Sequence, residues 1–105
     1  PAAGFRSDRL EFVVRCNRHG PGIMIGISGL TRPDGFVIRT SYGERRLPVT
    51  IHFNDMIADV PVSDPLLEQM AFSRGRFLVY AEGGQALILP AWPELARVIE
   101  DCRGQ

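Results

Sequence analysis

The chain has 105 residues, 45% of them hydrophobic and 23% charged, and its 12 basic and 12 acidic residues cancel. That length and balance fit one small globular domain and exclude a disordered chain, which lacks the apolar content to form a core. Zero net charge also speaks against a nucleic-acid or anionic-membrane binder, both of which carry a basic excess. No run of about 18 apolar residues is present to cross a membrane as a helix.

Residues 1–8 are mostly small or polar, so they are expected to be a flexible segment ahead of a single domain over 9–105. The start, Pro1-Ala2-Ala3-Gly4 without Met, is compatible with removal of an export signal or anchor. In 10–16, LEFVVRC, Leu10, Phe12, Val14 and Cys16 alternate with other residues and share one face of an expected strand. Gly20-Pro21-Gly22 punctuates a turn over 17–22, which carries Arg18 and His19. A second strand follows over 23–27, IMIGI, with Gly26 suggesting a bulge or a close backbone approach. The loop over 28–35 holds Arg32 and Pro33-Asp34-Gly35. Here Pro presets φ, Asp bonds its own backbone and Gly tolerates positive φ.

A third strand is expected over 36–40, FVIRT. The clearest alternation is 46–53, RLPVTIHF, with Leu47, Val49, Ile51 and Phe53 on one side. Pro48 cannot donate to a ladder, which makes this an edge strand or one whose pairing begins after Pro48. Asn54-Asp55 is a natural turn, and 56–60, MIADV, a short strand. Asp64 before Pro65 is a helix start, a capping side chain ahead of Pro at the first helical position, and 66–72 supplies two turns with Leu66 and Met70 inward. Strands over 76–82 and 85–89 flank Gly83-Gly84, a two-residue hairpin signal. Pro93 opens a last helix that lacks a Ser, Thr or Asp cap, so Trp92 is expected to pack on the sheet and set its entry angle. Leu95, Val98, Ile99 and Cys102 fall at i, i+3, i+4 and i+7 and share one face.

These elements define the fold class as mainly β (α+β). We expect an antiparallel β-sandwich or small barrel of about seven strands, with one short internal helix and a C-terminal helix. The connections are too short for parallel crossovers.

Cys16 and Cys102 are the two cysteines. Each stands on an apolar face, so the simplest expectation is that they meet in a disulfide joining the two ends of the domain. A pair of buried reduced thiols fits the same pattern. The bond would place the chain in an oxidising space, the periplasm or the cell exterior. In the loop-entropy model it would contribute roughly 4–5 kcal/mol.

No catalytic constellation stands out. A zinc site from Cys16, His19, His52 and Cys102 has one Cys-x-x-His half and no compact second half. Neither cysteine sits where a helix N-terminus would activate it. The acidic residues are scattered, and no glycine-rich loop leads into a helix to hold a phosphate. All 12 basic residues are Arg, which reads more simply as codon bias in a GC-rich genome than as a phosphate site. Phe12, Phe36, Phe53 and Phe77 share parity with aliphatic residues, as core does and a stacking platform for single strands does not. No enzyme activity, cofactor or metal is expected, nor is a nucleic-acid partner. The candidate partner-binding residues lie on turns and on the expected edge strand, which could add to a partner's sheet. They are Arg18, His19, Arg32, Asp34, Arg45, Arg46 and His52.

Two features carry a family resemblance: FVVRC at 12–16, an early strand ending in Cys, and the strand–helix–Cys ending over 87–102. In these the chain resembles small exported bacterial β-domains, among them the VasI-like accessory lipoproteins of type VI secretion. The resemblance implies an envelope protein that acts by binding and has no active site to carry over. The expectation is therefore a non-enzymatic, periplasmic or secreted module of a bacterial envelope or secretion system with a protein partner. One alternative is a cytosolic small-ligand or nucleotide-binding regulatory barrel with reduced cysteines, using Arg39, Arg45 and Arg46 for phosphate. Another is a hydrolase inhibitor presenting the 17–22 loop.

Overall fold

Side-chain alternation in the sequence becomes the two faces of each strand. A computed structural model describes residues 2–7, 10–16, 22–29, 35–53, 55–80 and 86–104. In chain order these hold β1 (Ala2–Ser7), β2 (Leu10–Cys16), β3 (Gly22–Ser28), β4 (Phe36–Thr40), β5 (Gly43–Leu47), β6 (Thr50–His52), β7 (Asp55–Pro61), α1 (Pro65–Ala71), β8 (Arg76–Tyr80), β9 (Ala86–Pro90) and α2 (Pro93–Arg103). The strands form two antiparallel sheets, β1-β2-β3-β7-β6 and β5-β4-β8-β9. The fold is thus a β-rich α+β sandwich.

Inward positions of the first sheet include Phe12, Val14, Ile23, Ile25, Ile27, Met56 and Val60, and those of the second include Phe36, Ile38, Phe77, Val79 and Leu89, all buried in one core. Phe12 and Phe77 meet edge to face across the two sheets, with ring centroids 5.9 Å apart, an arrangement the ring quadrupoles favour.

Both helices start as their residues dictate. Asp64 caps α1, its carboxylate accepting the Leu66 N–H at 2.9 Å, and Pro65 takes the first helical position where no N–H is required. Leu66, Leu67 and Met70 are buried beneath it. α2 has no side-chain cap. Trp92 holds its entry instead, stacked on Phe77 at 6.4 Å and tilted against Phe5 at 6.0 Å. Leu95, Val98, Ile99 and Cys102 are the buried face of α2.

Three expectations are corrected. Residues 2–7, expected to lie ahead of the domain, belong to its first sheet. They form β1, an edge strand in which Ala3 and Phe5 stand opposite Val14 and Phe12 and turn toward the core. Gly4 between them, with small Ala2 and Ala3 before it, hides the alternation. The run over 46–53 is not one strand. It breaks at Pro48, leaving β5 as an edge of the second sheet and β6 as an edge of the first. Leu47 is buried, whereas Phe53 is 88% exposed with φ 56°. This break and β1 raise the count to nine strands among the described residues. Finally, Gly26 marks no bulge, because its pairing with Val13 and Ile57 continues the regular register on both sides.

Gly35, by contrast, is required. Its φ is +92°, and a Cβ there would collide with the Leu47 carbonyl where β5 ends. The turn residues expected at 17–21, at Pro33-Asp34, at Asn54 and at Gly83-Gly84 lie outside the described residues.

Candidate functional site

Cys16 closes β2 on its inward side, and Cys102 lies in the last turns of α2. The fold brings them together, 2.5 Å apart. Both are free thiols in the structure, so the expected disulfide is not formed there. Cys102 Sγ donates to the Gly22 carbonyl at 3.4 Å, and Cys16 Sγ points to the Val98 carbonyl at 3.9 Å. Burial, reinforced by the hydrogen bond and charge of Cys102, pushes the Cys16 thiol up to about 11. At neutral pH it stays protonated and is a poor nucleophile. The chemistry open to the pair is mutual oxidation.

Of the remaining sequence candidates, Arg45, Arg46 and His52 lie among the described residues. Arg18, His19, Arg32 and Asp34 lie outside the described residues. Arg45 is bound within the chain. Its guanidinium forks onto Asp64, Nη1 to Oδ1 at 2.6 Å and Nη2 to Oδ2 at 2.7 Å, and ties β5 to the start of α1. The fork, opposed by burial and aided by the Leu66 N–H, holds the Asp64 carboxyl below its ordinary value. Arg46 stands on β5 opposite Val37, on the outward face of the second sheet. His52 is exposed on β6, its ring 4.8 Å from that of Phe53. It sits in the cross-strand row of Glu11, Ser28 and Asp55, whereas Cys16 sits in the row of Ile23 and Val60 at the other end of that sheet. Of the zinc reading, His52 therefore does not converge with the cysteine pair, and His19 lies outside the described residues.

Sequence reasoning missed a cleft on the outer side of α1. Pro65, Glu68, Gln69 and Phe72 follow one another at i, i+3, i+4 and i+7, opposite the buried stripe of Leu66, Leu67 and Met70. Tyr42, from the turn between β4 and β5, supplies the facing wall of a cavity of about 230 Å³. Tyr42 is 61% exposed and Phe72 62%. A hydrogen-bond clamp holds them. The Ser41 N–H donates to Ser73 Oγ at 3.0 Å, Ser73 Oγ donates to the Arg76 carbonyl at 2.6 Å, and the Arg74 N–H donates to Ser41 Oγ at 3.1 Å. Buried Ser73 is the centre of this clamp. Tyr42 Oη also donates to the Phe72 carbonyl at 3.4 Å.

Glu68 forms one rim and pairs with Arg103 at 3.0 Å, while Arg103 Nε donates to the Val62 carbonyl at 2.8 Å. A second, smaller groove of about 40 Å³ shares Glu68 and Phe72 with this cleft and is lined also by Ala96, Ile99 and Glu100. One signal for the cleft was legible. With Leu66 and Met70 facing inward, Phe72 falls on the outward face of its helix and stays an apolar side chain without a core to enter. Nothing in the chain order placed Tyr42 beside it.

Among the described residues no helix is long and apolar enough to cross a membrane. Comparison with family models, curated proteins and solved structures finds no match to this chain.

Proposed function

We propose that this domain is a non-enzymatic protein-binding module of a bacterial envelope or secretion system, working in the periplasm or outside the cell. The observation that carries the proposal is the contact between Cys16 and Cys102. Two buried thiols at opposite ends of the chain are held where an oxidising compartment would join them. Each thiol gives up one proton and one electron to an external oxidant such as a protein disulfide, and the Sγ–Sγ bond forms. That bond would fasten α2 to β2. The resemblance to exported envelope domains points the same way.

The cytosolic phosphate-binding reading is less well supported. Arg45 is committed to Asp64, and Arg39 pairs with Glu44 at 3.5 Å. The inhibitor reading rests on the 17–22 loop, of which 17–21 lie outside the described residues.

The test is a thiol titration of denatured, unreduced protein taken from its own cells, with a mass measurement beside it. Absence of titratable thiol at monomer mass is the expected result. Two free thiols would overturn the exported reading and return weight to the cytosolic barrel.

A further inference from the structure

We infer that the cleft between Tyr42 and α1 is a receptor for an arginine side chain presented by a partner polypeptide. The inference rests on the protein-binding reading above and names the chemistry of the partner. At about 230 Å³ the cleft is smaller than pockets that enclose drug-sized ligands, and its size suits one long side chain. Its walls are two aromatic rings, each more than half exposed. Phe72, 62% exposed at the end of a short helix, gains little from folding because most of its surface stays in water. A planar guanidinium gains from both rings, stacking on their faces while its edge seeks a carboxylate.

Glu68 supplies that carboxylate at the rim. Its carboxylate pairs with Arg103 at 3.0 Å and stays more than half exposed, so a guest guanidinium shares that carboxylate or displaces Arg103. The two hollows share Glu68 and Phe72, and along their linings the carboxylates of Glu68 and Glu100 outnumber the cation Arg103. Charge therefore favours a cationic guest over an anionic one.

The site is also preorganised. Ser73 Oγ and the Arg74 N–H each tie Ser41 of the Tyr42 turn to the segment after α1, and Tyr42 Oη is anchored on the Phe72 carbonyl. The backbone of the cleft therefore needs little ordering when a guest enters.

The probe is the tripeptide acetyl-Gly-Arg-Gly-amide, titrated into the ¹⁵N-labelled protein and followed by NMR. Saturable shifts confined to Tyr42, Glu68, Gln69 and Phe72 are expected. The same peptide with Gln in place of Arg should leave these signals still. Glu68→Gln and Phe72→Ala should each weaken the binding about fivefold, the scale of one exposed ion pair or one cation–π contact. Both positions are exposed, and an unchanged dispersed spectrum will report that the fold survives. Absence of saturable shifts in this cleft would overturn the inference, as would binding that is unchanged in both variants. Shifts at the same residues on raising protein concentration without peptide would assign the cleft to a second copy of this chain and overturn a foreign partner. Failure here removes the arginine receptor alone, because the exported-module reading falls to the thiol titration and not to this one.

Discussion

Gly35 illustrates how one missing atom can hold a junction open. A Cβ there would meet the Leu47 carbonyl, and φ of +92° is a region that side chains avoid. Gly35→Ala is expected to lower stability by about 1–3 kcal/mol, seen as a lower urea midpoint with an unchanged slope. Gly75 shares a positive φ of +76°, but a methyl group added there would meet nothing within 4 Å. Gly75→Ala should therefore lose only the backbone part, about 1 kcal/mol.

Asp64 joins two tasks in one carboxylate, the cap of α1 and the fork with Arg45. Asp64→Ala should cost about 1–2 kcal/mol, mostly from the cap. Arg45→Ala keeps the cap and should cost less than about 1 kcal/mol, because the guanidinium is half exposed. The pH dependence has a definite sign. The carboxyl is held below its ordinary 3.8, so its contribution is complete above 3.8 and is lost as pH falls through the lower folded value. Asp64→Asn should therefore flatten the acid limb of a Tm-against-pH curve.

At the scale of elements, α2 depends on Trp92 at its entry and on the thiol pair near its end. Trp92→Ala removes the stack on Phe77 and the contact with Phe5. It should cost about 3 kcal/mol, the lower end for a large aromatic because the ring is only half buried. The reduced protein should also weaken in alkali. The Cys16 thiol lies at about 11 against an ordinary 9.0, so its contribution is complete below 9.0 and is lost as pH rises through 11. A fall in the Tm of the reduced protein over that window, absent from Cys16→Ala, checks the assignment. The break at Pro48 is an element-level device too. Pro cannot donate to a ladder, and the chain uses that interruption to pass from one sheet to the other.

For the molecule as a whole, a Cys16–Cys102 bond would close nearly the entire chain into one loop. Oxidation should then raise the unfolding free energy by roughly 4–5 kcal/mol, measured as the difference between oxidised and reduced protein in urea. Neither Cys16→Ser nor Cys102→Ser protein should show any such difference. The sandwich gives that tie its reach, because the first sheet ends beside α2 while the core between the sheets is shared by Phe12 and Phe77.

Strand parity, both helix starts, the buried face of α2 and the inward direction of Cys16 were legible in the chain, since each follows from a local period or a local cap. Leu10, Phe12, Val14 and Cys16 announce one face by their spacing alone, and Asp64-Pro65 announces a helix by the groups it supplies. The strand at Ala2–Ser7 was missed because its inward residues are separated by small ones and only pairing with β2 makes them a face. The passage of the chain between sheets at Pro48, the commitment of Arg45 to Asp64 and the meeting of Tyr42 with Phe72 were decided by tertiary structure. Each joins residues far apart in sequence through sheet order and register, which side-chain periodicity does not encode.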